Sequence, residues 1–465
     1  MAFAEFESVS LIHFEFAFVV DKYSTCFASS PRIAKRTPDP LRHARKGVQG
    51  ARTRRGRRGC TGGPLATTVG SPRLISAHHN SLSFQRAQVA LIGSGNWGSA
   101  IATKLGVNVL KPENGFDPVV EMWVFEEYVK FEGGKWERPA RGAKPPEGKT
   151  WVDEGYSPLT QVINEKHENI IYLPDIPLPV SIHANPDIKS TVTGATMMIF
   201  VIPHNFLAPL VPKLQGAFAP GCIGISLIKG IEFKDGKPIL ISDLLAEEMK
   251  KAEGAPVVNM SVLMGANVAN EVAKGDFAEA TIGCTDLAIG AKWVKLFNTP
   301  DFKVDPVADV AGAELCGALK NVVALGAGFV DGLGMGGNTK AAIIRIGLKE
   351  MQKFCQVFYG DRNILSETFL ESCGVADLVT TCFGGRNRKC ADIFAKCIKD
   401  GTPKTWDVIE AEELNGQKLQ GTGTSKDVME CIHKAGKEKD FPLMVQIHKI
   451  AFEGAAPDTI IDINK

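Results

Sequence analysis

Two lysines stand in sequence surroundings that suit proton transfer. Lys229 follows the mostly apolar run 223–228, and Lys320 lies within the mostly apolar helical pattern Glu314–Asn321. A lysine in such a helix either extends its ammonium group to solvent or is partly buried with a lowered pKa, which makes it an acid or base near neutrality. Periodicity leaves both states of Lys320 open. For Lys229 alone, a surface lysine in a loop is the simpler interpretation.

Further along the chain, polar residues occur at spacings that suit substrate binding. Asp377 and Thr381 are four residues apart, so a helix places both on one face. The motif Gly384–Asn387 predicts a loop that opens a helix, where Arg386 and the backbone N–H groups suit a phosphate. A solvated arginine at a helix start is the alternative interpretation.

The segment 88–98 predicts a dinucleotide-binding turn. A short apolar run leads into Gly-x-Gly-x-x-Gly, and the helix-forming stretch 99–105 follows. In this pattern Gly93 permits the tight turn, Gly95 lets the backbone approach a pyrophosphate, and Gly98 lets the helix pack on the strand. The helix N-terminus then binds the phosphates. An ordinary glycine-rich turn between a strand and a helix is the alternative.

The acid at the end of the second predicted strand bears on the choice of cofactor. Glu126 follows the run 122–125, where a carboxylate binds ribose hydroxyls and disfavours the phosphate of NADP. The position therefore favours NAD over NADP. Glu126 lies further from Gly98 than is usual, and a solvated surface acid is the alternative.

Strands and helices alternate from residue 87, which predicts a doubly wound α/β domain of Rossmann type over 87–305. Entirely apolar runs such as 197–202 are typical of parallel strands covered on both faces. After about Asp305 amphipathic helical segments follow, so 306–465 is predicted to be an all-α substrate and catalytic domain. The predicted strands are 89–92, 119–125, 180–183, 197–202, 223–228 and 257–264.

Two segments interrupt this organisation. Tyr128–Gly155 is rich in Gly and Pro and is predicted to be a long loop insertion. Residues 1–86 are predicted to be a disordered or cleaved extension, because from Lys22 onward they carry many basic residues and only the acid Asp39. They fit an organelle transit peptide, although the acids within residues 1–22 argue against it. An inert or artefactual extension and an RNA-binding arm are the alternatives.

Composition narrows the class of protein. The 465 residues carry a net charge of +1, which does not favour nucleic-acid binding by the whole molecule. The 11 cysteines include no Cys-x-x-Cys pair, so we expect free thiols rather than disulfides or a structural metal. No apolar run approaches the roughly 18 residues needed to cross a bilayer. We expect a cytoplasmic protein or, if residues 1–86 are a transit peptide, one in a plastid or other organelle.

Together the motifs resemble those of NAD-dependent glycerol-3-phosphate dehydrogenase of the eukaryotic type, over nearly all of residues 87–455. The chain departs from this family in its N-terminal extension, in the insertion at 128–155, and in Asn205, where most relatives have glutamine. The motifs that carry the resemblance occur in this order: Gly93–Gly98, Trp123–Glu127, Ser226–Gly230, Val262–Asn270, Glu314–Asn321, Asn338–Arg345, Glu371–Thr381, Gly384–Arg388 and Gly416–Gly421.

The resemblance implies an enzyme that interconverts dihydroxyacetone phosphate and sn-glycerol 3-phosphate with NADH and NAD, and a homodimer. It implies that Lys320 is the catalytic acid or base, with Lys229, Asp377 and Thr381 as catalytic companions. It also implies that Lys229, Lys320, Arg386 and Asn387 bind the substrate. The residues implied for NAD are Gly93, Ser94, Gly95, Asn96, Trp97, Gly98, Phe125, Phe206, Ala269, Arg386, Lys418 and Gln420.

Two other functions stay open at this point. A Rossmann-type dehydrogenase that acts on a hydroxy acid would not need a phosphate-binding Arg386. A non-catalytic NAD(H) sensor would not need Lys229, Lys320 and Asp377 together. That sensor would carry residues 1–86 as an RNA-binding arm. For the dehydrogenase, the expected partner is a small-molecule substrate, and neither a membrane span nor nucleic-acid binding is expected.

Overall fold

The computed structural model describes residues 86–140, 142–203, 206–234, 237–250, 258–414 and 418–463. The predictions for residues 1–85 and for Asn205 lie outside the described residues. The strands are β1 Ala87–Ile92, β2 Phe116–Trp123, β3 Tyr128–Glu132, β4 Lys135–Glu137, β5 Ser157–Pro158, β6 Ile182–Asn185, β7 Met197–Phe200, β8 Ile223–Ser226, β9 Glu232–Lys234, β10 Lys237–Ile239, β11 Asn259–Met264, β12 Ala278–Gly283 and β13 Phe302–Val307.

The α-helices fall into two groups, one among the strands and one after them. They are α1 Asn96–Val109, α2 Leu159–Lys166, α3 Ile188–Val192, α4 Leu207–Leu210, α5 Ile241–Lys250, α6 Ala269–Lys274, α7 Leu287–Phe297, α8 Val310–Gly332, α9 Gly337–Phe358, α10 Asp377–Gly384, α11 Arg386–Lys399, α12 Trp406–Leu414, α13 Gln420–Ala435 and α14 Pro442–Phe452.

Eight of the strands form one sheet in the order β13-β12-β11-β8-β7-β1-β2-β6. Neighbouring strands are parallel except β11 and β12, which run antiparallel. The chain passes from β1 to β2 and β6 on one side and then to β7 on the other side of β1. The carboxyl ends of β1 and β7 therefore form the topological switch point, where open α/β sheets bind ligands.

The central strands are apolar throughout because both faces of the sheet are covered. In β1, Val89 and Leu91 belong to a core cluster that includes Ile101 of α1, whereas Ala90 and Ile92 belong to a second cluster on the opposite face. The strand β7 divides its side chains between the same two clusters. This packing confirms the prediction made from the uniformly apolar runs.

The sheet extends beyond the predicted strands, because β12 and β13 were not predicted. In β13, Phe302 and Val304 are buried while Lys303 and Asp305 are exposed. This alternation of apolar and charged residues is a strand signal that the sequence does contain. One pair in this sheet is not parallel, since β12 runs antiparallel to β11.

The prediction that Tyr128–Gly155 is a loop without regular structure is wrong in its first part. β3 and β4 form an antiparallel hairpin, and β3 also pairs with β5. Gly133 and Gly134 lie at the turn with φ of 60° and 85°, the left-handed conformation that glycine adopts without strain. The glycines that argued against a regular element are therefore the residues that form its turn.

After β13 the described chain is helical, which confirms the prediction of a doubly wound part followed by an all-α part. α8 is the central helix, with α9, α10, α11, α13 and α14 around it. Among the described residues, α8 is the one helix that is long and apolar enough to cross a membrane. Its most apolar stretch of 18 residues, however, is 100% buried inside the protein. Its apolar length is therefore explained by its place in the core.

Candidate active site

The glycine fingerprint forms a tight turn between β1 and α1 at the switch point. Gly93 has a φ of 120°, and a Cβ atom there would lie 2.5 Å from the carbonyl oxygen of Val201. A Cβ atom on Gly98 would overlap the carbonyl oxygen of Gly93. At Gly95, no described atom other than those of Gly95 and its two chain neighbours lies within 4 Å of the Cβ position, and no described side chain caps α1. This open helix N-terminus fits the pyrophosphate of a dinucleotide.

The other fingerprint residues fasten the turn to its surroundings. The carbonyl oxygen of Ser94 accepts hydrogen bonds from Asn169 Nδ2 at 2.8 Å and from a serine hydroxyl of α1 at 2.9 Å. Asn96 Nδ2 donates to the carbonyl oxygen of Tyr172 at 2.8 Å. The Trp97 ring packs edge-on against Phe302, with 6.4 Å between ring centroids. The side chains of Asn96 and Trp97 are therefore engaged within the protein.

The two acids after β2 are bound by neighbouring side chains. The carboxylate of Glu126 accepts hydrogen bonds from the backbone N–H and the hydroxyl of Thr160, at 3.1 and 2.6 Å. Glu127 accepts from the Tyr172 hydroxyl at 2.6 Å and pairs with Arg138 at 3.1 Å. Glu126 is thus not the solvated acid considered as the alternative. Because it also holds the start of α2, it does not by itself decide between NAD and NADP.

A carboxylate between two ammonium groups forms the centre of the site. Lys320 Nζ donates to Asp377 Oδ1 at 2.6 Å, and Lys229 Nζ donates to Asp377 Oδ2 at 3.2 Å. Lys229 Nζ also donates to the carbonyl oxygen of Gly265 at 2.8 Å. Lys229 follows β8, Gly265 follows β11, Lys320 lies on α8, and Asp377 begins α10. Residues from elements that are distant in sequence therefore meet around one carboxylate and its two ammonium groups.

Burial decides which of the two states of Lys320 exists. The residue is 7% exposed, so its ammonium group does not reach bulk solvent. Burial, followed by repulsion from the Lys229 ammonium, lowers the pKa of Lys320 from 10.5 to about 8, although its pairing with Asp377 opposes both effects. The lysine is therefore able to give and take a proton near neutrality.

Asparagine side chains connect this centre with the start of α11. Asn387 Nδ2 donates to Asn321 Oδ1 at 2.9 Å, and Asn387 Oδ1 accepts from the backbone N–H of Gly421 at 2.9 Å. Thr381 Oγ1 donates to the carbonyl oxygen of Asp377 at 2.6 Å, in agreement with their expected positions on one helix face. Asn321 was not predicted as a site residue. Its place directly after Lys320 is the one signal that pointed to it.

A cavity of about 350 Å³ opens beside these residues. It is bounded by Lys229, by Ala318 and Asn321 of α8, and by Leu419 and Gln420 at the start of α13. Lys320 is not among the lining residues, although its neighbour Asn321 is. A smaller depression continues from Leu419 and Gln420 and is lined by Arg386, Asn387 and Lys418. Of the predicted substrate residues, Lys229 lines the cavity, and Arg386 and Asn387 line the depression. The predicted cofactor residues Arg386, Lys418 and Gln420 line one or both of these spaces, which share Leu419 and Gln420.

The remaining predicted cofactor residues lie near the carboxyl edge of the sheet. Phe125 lies after β2 and is 64% exposed. Phe206 lies directly before α4 and is 37% exposed. Ala269 is the first residue of α6. Lys418 Nζ, in contrast, is paired with Asp407 at 2.5 Å and with Glu410 at 2.9 Å. Its charge is thus balanced by two acids of α12.

The described residues include no group of three or more His, Cys, Asp or Glu side chains that could hold a metal ion. Their cysteines, namely Cys222, Cys284, Cys316, Cys355, Cys373, Cys382, Cys390, Cys397 and Cys431, are all free thiols.

Comparison with known proteins bears directly on this geometry. Residues 88–289 match the family model for the N-terminus of NAD-dependent glycerol-3-phosphate dehydrogenase, and residues 309–462 match the model for its C-terminus. The chain is 46% identical over 367 residues to the cytoplasmic glycerol-3-phosphate dehydrogenase [NAD(+)] of Rattus norvegicus, a match that covers 79% of this chain and 94% of the relative.

Two further relatives extend the comparison. The chain is 43% identical over 377 residues to the chloroplastic glycerol-3-phosphate dehydrogenase [NAD(+)] 1 of Arabidopsis thaliana, covering 81% of this chain and 85% of the relative. A solved structure of glycerol-3-phosphate dehydrogenase from Plasmodium falciparum superposes with a TM-score of 0.69 at 35% identity, covering 82% of this chain and 96% of the other. The resemblance inferred from the motifs is confirmed: the chain belongs to the family of NAD-dependent glycerol-3-phosphate dehydrogenases.

Proposed function

We propose that this chain catalyses the NAD-dependent interconversion of dihydroxyacetone phosphate and sn-glycerol 3-phosphate. The observation that carries the proposal is the pair of ammonium groups on Asp377, with Lys320 at 2.6 Å and Lys229 at 3.2 Å. Two cations and one carboxylate in a largely buried place suit a carbonyl oxygen that becomes negative as the carbonyl carbon is reduced. A hydroxy-acid dehydrogenase and a non-catalytic sensor are the alternatives that the experiment below separates.

Lys320 is the proton donor in the direction of reduction. With a pKa of about 8, Lys320 is protonated in most molecules at neutral pH. The same pKa allows the proton to be released to an alkoxide. Asp377 holds the ammonium in place and, by accepting from Lys229 as well, keeps the two cations together. Lys229 adds electrostatic stabilisation to the developing oxyanion. In the direction of oxidation, neutral Lys320 accepts the hydroxyl proton.

The phosphate of the substrate binds at the start of α11, remote from the reacting carbonyl. Arg386 offers a guanidinium group and Asn387 a side-chain amide, and both line the depression, which shares Leu419 and Gln420 with the main cavity. No described side chain caps α11, and a helix N-terminus suits an anion such as this phosphate. Binding energy at the phosphate then positions the carbonyl group beside Lys320 and Lys229.

NAD(H) supplies the hydride when bound, and the described residues fit its diphosphate. Gly95 leaves open space at the N-terminus of α1, and Gly93 and Gly98 keep side chains out of the turn. Phe125 after β2 and Phe206 after β7 offer apolar surface beside the switch point. In this proposal residues 87–305 bind the cofactor and residues 306–465 provide the phosphate site and the proton donor.

The assay is the oxidation of NADH, followed at 340 nm with dihydroxyacetone phosphate. We expect turnover with this substrate, little with dihydroxyacetone, and none with 2-oxo acids. Turnover of 2-oxo acids instead would identify a hydroxy-acid dehydrogenase. Binding of NADH without turnover of any substrate would favour a sensor.

We also propose a homodimer and a cytoplasmic location, with an organelle as the alternative. The relatives include a cytoplasmic and a chloroplastic enzyme, so family membership is compatible with either compartment. Light scattering during gel filtration measures the mass in solution, and a monomer would contradict the dimer. Fluorescent fusions of the full chain and of a chain lacking residues 1–85 test the location. If the extension is a targeting signal, only the full chain should reach an organelle.

A further inference from the structure

A buried glutamate on the catalytic helix binds the start of a different helix. Glu314 of α8 is 1% exposed. Its Oε1 accepts from the backbone N–H groups of Ile241 and Ser242 at 2.6 and 3.2 Å, and its Oε2 accepts from the Ser242 hydroxyl at 2.5 Å. Ile241 is the first residue of α5, so Glu314 caps that helix from a distance in place of a local residue. The two residues before α5, Ile239 and Leu240, have no side-chain acceptor.

The capped helix is connected to Lys229 by a short hairpin. β9 begins three residues after Lys229, and its Glu232 pairs with Ile239 of β10. Leu240, directly after β10, is 1% exposed and belongs to the core of the helical part. The hydroxyl of Tyr359 in addition donates to the carbonyl oxygen of Pro238 at 2.6 Å. Residues 238–241 are therefore docked on the helical part, and Glu314 holds Ile241 at their end.

Glu314 and Lys320 lie six residues apart on α8, a rise of about 9 Å along one helix. Glu314 thus ties the segment that carries Lys229 to the helix that carries Lys320. We propose that Glu314 is a positioning residue that sets where Lys229 stands relative to Lys320 and Asp377. This inference rests on the proposed function, because it assigns the residue a part in the same reaction.

The cost of burying this carboxylate supports a role beyond filling space. Burial raises the pKa of Glu314 to about 7, although three hydrogen bonds from Ile241 and Ser242 oppose the rise. An apolar side chain would pack at this place without that cost but would leave the N–H groups of α5 unpaired. The arrangement makes the position of α5 depend on α8 rather than on its own sequence.

The chain contains a second buried glutamate that caps a distant helix, and it provides a matched control. Glu350 of α9 is 5% exposed and accepts from the backbone N–H groups of Leu443 and Met444 at 2.8 and 2.9 Å, so it caps α14. Burial raises the pKa of Glu350 to about 7 as well. Neither Leu443 nor Met444 borders the active-site cavity. The two glutamates thus share their chemistry and burial. They differ in that the helix capped by Glu314 follows the hairpin after Lys229, whereas the helix capped by Glu350 does not border the active-site cavity.

The test compares Glu314→Leu and Glu350→Leu in the full chain, with Glu314→Gln as the conservative variant. Both leucine variants should lower Tm. Only Glu314→Leu should lower kcat, by about tenfold to a hundredfold as for a misplaced catalytic group, with the Kd for NADH unchanged. Glu314→Gln should keep most of kcat, because its carbonyl oxygen still accepts from the two N–H groups. Equal kcat in the two leucine variants would overturn the proposal.

A double-mutant cycle shows whether the effect passes through Lys229. In a Lys229→Ala background, Glu314→Leu should lower kcat no further, whereas an independent loss of the same size would overturn the proposal. If Glu314→Leu does not fold, Ser242→Ala removes one of the three hydrogen bonds and should lower kcat by a smaller factor that also vanishes in the Lys229→Ala background. The wild-type chain separates the two hypotheses: absent turnover of dihydroxyacetone phosphate contradicts the proposed function, whereas normal turnover with unaffected variants contradicts only the positioning role.

Discussion

The protonation of Lys320 should govern how the rate depends on pH. Its pKa falls from 10.5 to about 8, a change that corresponds to about 3 kcal/mol in favour of the neutral amine. Reduction of dihydroxyacetone phosphate needs the ammonium form. We therefore expect kcat/KM for reduction to be level near pH 7 and to fall about tenfold per pH unit well above the pKa. Oxidation of glycerol 3-phosphate needs the neutral amine and should rise with pH through the same range.

Lys229→Met removes one cause of the lowered pKa and leaves the other. Burial is the largest cause and remains in this variant, whereas repulsion from the Lys229 ammonium disappears. Asp377 then pairs with Lys320 alone, which also favours the charged form. The midpoint of the falling limb should therefore move to higher pH but stay below the ordinary lysine value of 10.5. The maximum rate should fall as well, since a cation that stabilises the oxyanion is lost.

Lys229→Arg is the matched control because it keeps the positive charge. In this variant the midpoint of the falling limb of kcat/KM should stay near that of the wild type, even if the maximum rate is lower. The measurement is kcat/KM from NADH absorbance at 340 nm across pH 6 to 10, with the pH dependence of the Kd for NADH as a check on cofactor binding. An unmoved limb in Lys229→Met, or an equal shift in both variants, would refute the assignment of this limb to Lys320 under the influence of Lys229.

Three further outcomes follow from the site. Lys320→Met should lower kcat by about 10²–10⁴ with the Kd for NADH unchanged in a fluorescence titration, and near-normal turnover would contradict its role as proton donor. Arg386→Ala should weaken phosphorylated substrates by roughly 1.5–3 kcal/mol in kcat/KM, and an equal loss with dihydroxyacetone would indicate a structural role instead. Gly98→Ala should lower Tm because its Cβ atom meets the carbonyl oxygen of Gly93, whereas Gly95→Ala should keep Tm and weaken NADH binding. A Gly95→Ala variant that binds NADH normally would argue against a pyrophosphate at this turn.

Several parts of the fold could be predicted from local sequence patterns. The glycine fingerprint was predictable because only glycine fits its left-handed turn and its contact between helix and strand. The central strands were predictable because a strand covered on both faces needs no polar position. Edge strands were harder, since β13 is only half apolar. The hairpin of β3 and β4 was missed because glycines that form a turn resemble glycines that break an element.

The order of the motifs and the residue types within them determined the family, the cofactor class and the identity of the central charges. What Lys320 is able to do was decided only by the tertiary structure. A helix pattern cannot distinguish a buried lysine from one that reaches solvent, because that depends on which elements cover the helix. The contacts of Asp377 with Lys229 and Lys320 and the capping of α5 by Glu314 join residues 57 to 148 positions apart. Such contacts are set by the packing of α8 against its neighbours, and no local pattern in the sequence encodes them.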